Sequence, residues 1–228
     1  MDTNSPPVGK LELTDKMSRY SYPFAITVNK EGRRFMDEGR DTFEPTYAAT
    51  GDLIGKQTDS TAFQIFDQKS LITLEPRYST GTPVVDDTLD GLAAKLGVNV
   101  REFNAAVPDT PDWDPFHKDG RSTGDKLEIA KTNWSLTIDK PPYVAYAVTC
   151  ELRYHLHLRR LKVDPYAHVL NAEGNRVPGL WAIGEIAGGF FAYNYPGASG
   201  LVKGAVFGRL AGAAAAKGAI ECQRPGKL

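Results

Sequence analysis

The chain has 228 residues, 41% hydrophobic and 24% charged, with a formal net charge of -1; that leaves room for one or two domains and gives no electrostatic reason for a nucleic acid or an anionic membrane as partner. No stretch has the length and apolarity of a membrane span, the start lacks a signal-peptide core, and the small-residue run at 211–219 is bracketed by Arg209 and contains Lys217. The two cysteines, Cys150 and Cys222, make neither a CxxC metal spacing nor a disulfide framework, so a reducing, cytoplasmic setting is expected.

Residues 1–20 are polar, contain Pro6 and Pro7, and read as a loose lead-in. The β-branched and aromatic run at 21–29 predicts a strand, and Glu31-Gly32 a turn. A short strand is predicted at 62–66. Leu89, Leu92, Ala93 and Leu96 recur at helical spacing before Gly97, which predicts a helix over 86–96, and a second short helix follows at 100–107. The Pro, Asp and Gly of 108–126 predict a long surface loop. A strand is predicted at 142–149, then two short strands around the Asn-Ala-Glu-Gly-Asn turn at 171–175, a short buried strand at 180–183, and one long helix from Ser199 to about Ile220. There is no internal repeat.

The stretch 179–212 carries the chemistry. A short strand runs into Gly184-Glu185, then a glycine-rich turn, then a helix, the layout in which an α/β sheet presents a ligand beyond its strand ends. Ser199 is placed to cap that helix by accepting a backbone N–H. The N–H groups of Gly200, Leu201 and Val202 would then point out of the helix start, where with the helix dipole they favour an anion or a developing negative charge. The reduced pyrimidine edge of a flavin meets that description, and so does a phosphate. Gly200, Gly204, Gly208 and Gly212 fall on one helix face. At roughly 1 kcal/mol each in a helix interior, they call for a compensating close approach, of another backbone or of a flat ligand.

The sequences PGLWAIGE (178–185) and GAVFGRLAG (204–212), in that order and spacing, resemble the closing segment of the FAD-dependent oxidoreductase 2 family, the fumarate reductase/succinate dehydrogenase flavoprotein type. The resemblance implies that Glu185, with Gly184, binds the ribityl hydroxyls of FAD and that Ser199, Gly200 and Leu201 contact the isoalloxazine ring; a surface turn carboxylate is the alternative for Glu185. Upstream, SYPFAITVNKEGRRFMDEG (21–39) resembles the start of the family's mobile capping domain, FQIFD (63–67) also fits it, and PYVAYAVT (142–149) resembles the strand leading back to the FAD domain. SYPF and NYPG (194–197, with Asn194 in the flavin loop) are most similar to tricarballylate dehydrogenase-like members. The similarity runs from about residue 20 to 218. It implies an α/β (α+β) fold with a lead-in at 1–24, a capping or substrate domain at 25–140, and the C-terminal part of a Rossmann-like FAD-binding domain at 141–228.

Three departures bear on function. The GxGxxG dinucleotide fingerprint of the family is absent, so the alternative is a non-catalytic remnant, either a truncated product or a fragment that needs another polypeptide for the missing half, which is expected to hold FAD poorly and, with core surface exposed, to be unstable or homo-oligomeric. Tyr195 stands where the fumarate reductases carry a substrate-clamping Arg, and in a YPG sequence it also resembles the 3-ketosteroid dehydrogenases, in which it hydrogen-bonds the substrate ketone. HLHLRR (155–160) stands where the family has TFTFGG, and two Arg cannot replace two Gly beside a flavin. One codon choice for HLHLRR, read one base later, encodes TFTFGG, so a shifted reading frame over about 151–160 is a hypothesis that the coding DNA decides; a true basic strand is the rival. A metal site on His155 and His157 is a weak signal without an acidic or cysteine partner, and no metal is expected.

The resemblance thus implies hydride transfer between FAD and a small carboxylated or enone-type substrate. Arg40, in a Gly-Arg-Asp sequence, resembles the family's proton-donating Arg, against the alternative of a solvated surface Arg. The Tyr195 hydroxyl would polarise a substrate carbonyl, against the alternative of an aromatic lid. Arg33 and Arg34 are placed to pair with Asp37 and Glu38. His117 and His168 are assigned nothing.

Overall fold

The computed structural model describes residues 18–107, 129–150, 160–191 and 194–222. They divide between two compact units, Met1–His155 and Leu156–Leu228. Helices and sheets are mixed in an α/β arrangement. The predicted loop at 108–126 and the segment 151–159, with His155 and His157, lie outside the described residues.

In the first unit, β1 (Ile26–Asn29), β2 (Thr61–Phe66), β3 (Val84–Asp86) and β4 (Tyr143–Thr149) form one antiparallel sheet in the order β1-β2-β4-β3. The side-chain period of two divides the apolar residues of the central strands between both faces. Phe63 and Ile65 of β2, with Tyr143 and Ala145 of β4, meet Leu92 and Phe103 of the helices α2 (Leu89–Leu96) and α3 (Val100–Ala106). On the other face, Phe66, Val144 and Tyr146 pack around Tyr78, and Ala62 and Val148 meet Ile54 of α1 (Phe43–Gly55). A sheet covered on both faces explains why β2 is buried over five consecutive residues.

Local chemistry sets the ends of these elements. The Thr88 hydroxyl accepts the Gly91 N–H, and Gly97, at φ 69°, closes α2 in the left-handed region. The Asn99 side chain starts α3 by accepting the Glu102 N–H. Gly32, at φ 84°, turns the chain after β1. The predicted strand at 21–29 is shorter than expected: Pro23, which has no N–H, sits in a 3-10 turn over Tyr22–Phe24, and pairing begins at Ile26. The helix expected from 86 begins at Leu89, because Val84–Asp86 is an edge strand on β4. α1 carries no helical signal in the sequence, because Pro45, Thr46, Thr50 and Gly51 weaken its pattern.

A polar network ties the segment after β1 to residues 129–133. Glu38 and Arg34, both buried, pair at 2.5 Å. Glu38 also accepts the Thr27 N–H at 2.6 Å, and Arg34 donates to the Ile129 carbonyl at 2.6 Å. Arg33 pairs instead with Glu102. Asp37 accepts the Gly39 and Thr132 N–H groups and the Thr132 hydroxyl. A Cβ on Gly39 would come within 2.0 Å of the Asn133 carbonyl oxygen, whose own side chain donates to the Gly39 carbonyl. Gly39→Ala is therefore expected to destabilise the first unit by about 3 kcal/mol, read as a lower urea midpoint with an unchanged slope.

Lys131 is buried beside this network and donates to the Ala25 carbonyl at 2.7 Å. Burial pulls its pKa down to about 8; the charges of Glu38 and Asp37 oppose this and that of Arg34 adds to it. The sign follows directly. Below about 8 the folded protein carries a buried charge that the unfolded chain carries in water, and this cost disappears as pH rises from about 8 to the ordinary 10.5. Stability should therefore increase over that window, by on the order of 3 kcal/mol at most. Above about pH 10 it should fall, because burial pushes Tyr22 up to about 12 and Tyr78 up as well, so the folded state resists their ionisation. Urea midpoints from pH 7 to 10 should rise for the natural chain and stay nearly flat for Lys131→Met.

In the second unit, β6 (His168–Leu170) and β7 (Arg176–Trp181) form an antiparallel hairpin across the predicted turn, where Gly174 takes φ 84°. β5 (Leu161–Lys162) pairs in parallel with β8 (Ala187–Gly188). The expected buried strand at 180–183 differs: β7 ends at Trp181, and Leu180 and Ile183 are 44% and 45% exposed. The predicted long helix is α4, Ser199–Cys222.

Candidate functional site

Between β7 and β8 the chain makes a 3-10 turn, Gly184–Ile186, entered through Gly184 at φ 64°. The start of α4 lies against this turn. A Cβ on Gly204 would stand 3.8 Å from Gly184 Cα, one on Gly208 3.6 Å from Ile183 Cδ1, and one on Gly212 would meet nothing. At Gly200 a Cβ would fall 2.3 Å from the Tyr195 hydroxyl oxygen. A Cβ would thus make only ordinary contacts at Gly204 and Gly208 and none at Gly212, so of the four only Gly200 is held to glycine by a close neighbour, and the expected close approach along the whole glycine face is not found.

The helix start is closed by the chain's own groups. The Tyr195 hydroxyl accepts the Gly200 N–H at 2.7 Å. The Leu201 and Val202 N–H groups reach the Ala198 carbonyl at 3.1 and 3.4 Å. The Ser199 hydroxyl donates to the Pro196 carbonyl rather than accepting a helix N–H. This corrects the expectation of a Ser199 cap with three outward donors. Ala198, at φ 63°, folds the 196–198 loop back so that its carbonyls stand beneath the helix start. The acceptor at the cap is an aromatic hydroxyl four residues upstream of Ser199, a contact that no local cap pattern signals.

Two cations hold the Gly184–Gly188 stretch. Arg160 donates to both the carbonyl and the carboxylate of Glu185. Lys203, buried in α4, donates to the Ala187 carbonyl at 3.0 Å and lies 5.0 and 5.3 Å from the ring centroids of Phe190 and Phe191. Burial lowers the Lys203 pKa, Glu185 opposes the shift and Arg160 adds to it. Phe191 meets Tyr195 edge-on at 4.8 Å, and Phe190 meets Phe207 at 4.7 Å. Lys203 carried no signal in the sequence, because a lysine within a helix reads as a solvated residue. Arg160 was visible only as a departure from pattern.

Gly184, Glu185, Asn194, Tyr195, Ser199, Gly200 and Leu201 all belong to the second unit; Asn194 is exposed and Leu201 is 82% exposed. Arg40 belongs to the first unit, exposed on the turn that Gly39 and Asn133 build. No group of three or more potential metal ligands exists among the described residues, and no helix among them is long and apolar enough to cross a membrane.

A flavin nucleotide needs an acceptor for its chain hydroxyls, a positive field beside the pyrimidine edge, and bare backbone for close approach. The exposed Glu185 carboxylate is the first. The Lys203 ammonium is a candidate for the second, since the Gly200, Leu201 and Val202 N–H groups of the α4 start are already bonded within the chain. Gly184 and Gly189, whose Cβ positions face open space, are the third. These residues fit the group once Glu185 exchanges its Arg160 partner for a hydroxyl.

Residues 20–202 match the family described as "FAD binding domain", and the chain belongs to that family of FAD-dependent oxidoreductases. NADH:acrylate oxidoreductase of Vibrio harveyi is 31% identical over 199 residues, which are 83% of this chain and 18% of that protein. A 3-oxosteroid 1-dehydrogenase of Mycobacterium tuberculosis is 29% identical over 235 residues, 90% of this chain and 40% of that protein. Among solved structures, the open conformation of a flavocytochrome c3 fumarate reductase superposes with a TM-score of 0.54 at 26% identity, over 87% of this chain and 33% of its own. The chain therefore spans between 18% and 40% of the length of these relatives.

Proposed function

We propose that this chain is the ring-side and substrate-side portion of a flavin-dependent reductase or dehydrogenase acting on a small carboxylated or enone-type substrate. Bound FAD supplies the hydride donor or acceptor. Glu185, backed by Gly184, takes the cofactor's hydroxyls. Lys203 gives the ring a positive edge, with Ser199, Gly200 and Leu201 of the α4 start against it, and Asn194 lines the loop beside it. The observation that carries the reading is the Tyr195 hydroxyl held at 2.7 Å by the Gly200 N–H. Accepting that bond draws electron density from the phenol oxygen and makes its proton a stronger donor toward a substrate carbonyl. Arg40 is the proton donor of the same reading, with residues 25–140 as the capping domain, 141–228 as the closing part of the FAD domain, and 1–24 as a lead-in. β4 is hydrogen-bonded to β2 and β3 in the sheet of the first unit.

Two further readings have support of their own. Tyr195, together with the 3-oxosteroid 1-dehydrogenase likeness, favours a ketone substrate over a dicarboxylate of the tricarballylate type. The Arg160–Glu185 pair favours a chain that binds FAD poorly by itself and is completed by another polypeptide or a second copy. Leu201, Val202 and Val206, 82%, 62% and 49% exposed on α4, are apolar surface such a partner would cover. The deciding experiment is a visible spectrum after FAD addition and desalting, followed by oxidation of a reduced dye with acrylate or fumarate and, separately, reduction of an oxidised dye by a 3-oxo-4-ene steroid. A retained flavin with enoate turnover supports the first reading, steroid turnover the second. A colourless chain that never turns over overturns the enzyme reading for the isolated chain.

A further inference from the structure

Resting on Glu185 as the acceptor for FAD hydroxyls, we propose that Arg160 sets the cofactor affinity of this site, by holding Glu185 in an internal ion pair that the cofactor must displace. Arg160 immediately precedes β5, and the register Leu161↔Ala187, Lys162↔Gly188 lays it alongside the Gly184–Gly188 turn. A Cβ on Gly188 would come 2.8 Å from Arg160 Cβ, so the missing side chain at 188 is what lets Arg160 lie there. The guanidinium side chain is 11% exposed and the Glu185 side chain 67%. The cation is thus fixed beneath the turn, and the face of the pair open to solvent is the carboxylate that a ligand would approach.

The competition is unequal in kind. A hydroxyl of the cofactor offers Glu185 a neutral donor. Arg160 offers a charged, planar fork that grips the carbonyl and the carboxylate of one residue together, and such charge-assisted bonds are roughly twice as strong as neutral ones. Lys203 does not relieve this: its amine is committed to the Ala187 carbonyl, and its charge adds to the positive field around Arg160. Arg160 is a positioning residue whose position on Glu185 opposes binding.

The test is FAD titration by flavin fluorescence on the whole chain and on Arg160→Gln, Arg160→Lys, Glu185→Gln and the Arg160→Gln/Glu185→Gln double variant. Arg160→Gln should bind FAD about tenfold more tightly than the natural chain, and the double variant should lose that gain. Arg160→Lys keeps the charge but not the fork and should fall between; it carries the test if the Gln variant does not fold, as judged by its melting transition. Equal or weaker binding by Arg160→Gln and Arg160→Lys, with Glu185→Gln weakened, overturns the proposal and leaves the site reading standing. FAD affinity indifferent to Glu185→Gln in both backgrounds, or absent from every variant, overturns the site reading and the proposal with it.

Discussion

Glu38→Ala is expected to destabilise the first unit by about 3–5 kcal/mol, the cost of removing one partner from a buried ion pair. Glu38 is 1% exposed and satisfies two groups at once, the Arg34 guanidinium and the Thr27 N–H of β1. Its loss strands a buried cation, orphans a buried backbone donor and removes the larger of the two charges that favour the Lys131 ammonium. Glu38→Gln keeps a carbonyl acceptor for Thr27 and should cost less, so the gap between the two separates the hydrogen bond from the charge. The readout is the urea midpoint at pH 7. Repetition in a Lys131→Met background should reduce the loss, since the attraction between Glu38 and Lys131 is then no longer there to lose. Equal losses in both backgrounds would mean that Glu38 acts on Arg34 and β1 alone.

Tyr195→Phe is expected to lower kcat by about 10²–10³ in the FAD-loaded chain with KM little changed, the effect of removing one hydrogen-bond donor that acts on developing charge. The ring remains packed edge-on against Phe191, so the variant keeps its shape. It also leaves the Gly200 N–H without its acceptor, a cost of about 1–3 kcal/mol to the second unit that a melting curve reads separately from turnover. A raised KM at unchanged kcat would make Tyr195 a packing lid instead. Gly200→Ala is the companion measurement. A Cβ there would force the hydroxyl away, so it should reproduce the kcat loss of Tyr195→Phe if the Gly200 contact is what holds the hydroxyl in position.

By itself the sequence determined the elements whose cause is local. Gly97 ends α2 because only a residue tolerant of positive φ closes a helix that way. The Asn-Ala-Glu-Gly-Asn turn makes the β6–β7 hairpin, and the β-branched and aromatic content of 61–66 and 143–149 marks strands. The strand–turn–helix order of 176–222, with Gly184-Glu185 at its turn, was legible for the same reason, and it is the part of the candidate site that the family match includes up to residue 202. What only the tertiary structure decided depends on partners far apart in the chain. α1 forms despite Pro45 and Gly51 because Ala62 of β2 and Val148 of β4 bury its Ile54. Val84–Asp86 is a strand because β4 offers it an edge. The pairing of Arg34 rather than Arg33 with Glu38, the capping of α4 by Tyr195, and the commitment of Glu185 to Arg160, 25 residues away, are all choices among equivalent local possibilities. Charge and hydrogen-bonding groups have no periodicity that announces their partners; the packing of the backbone brings one candidate within reach and leaves the others in water.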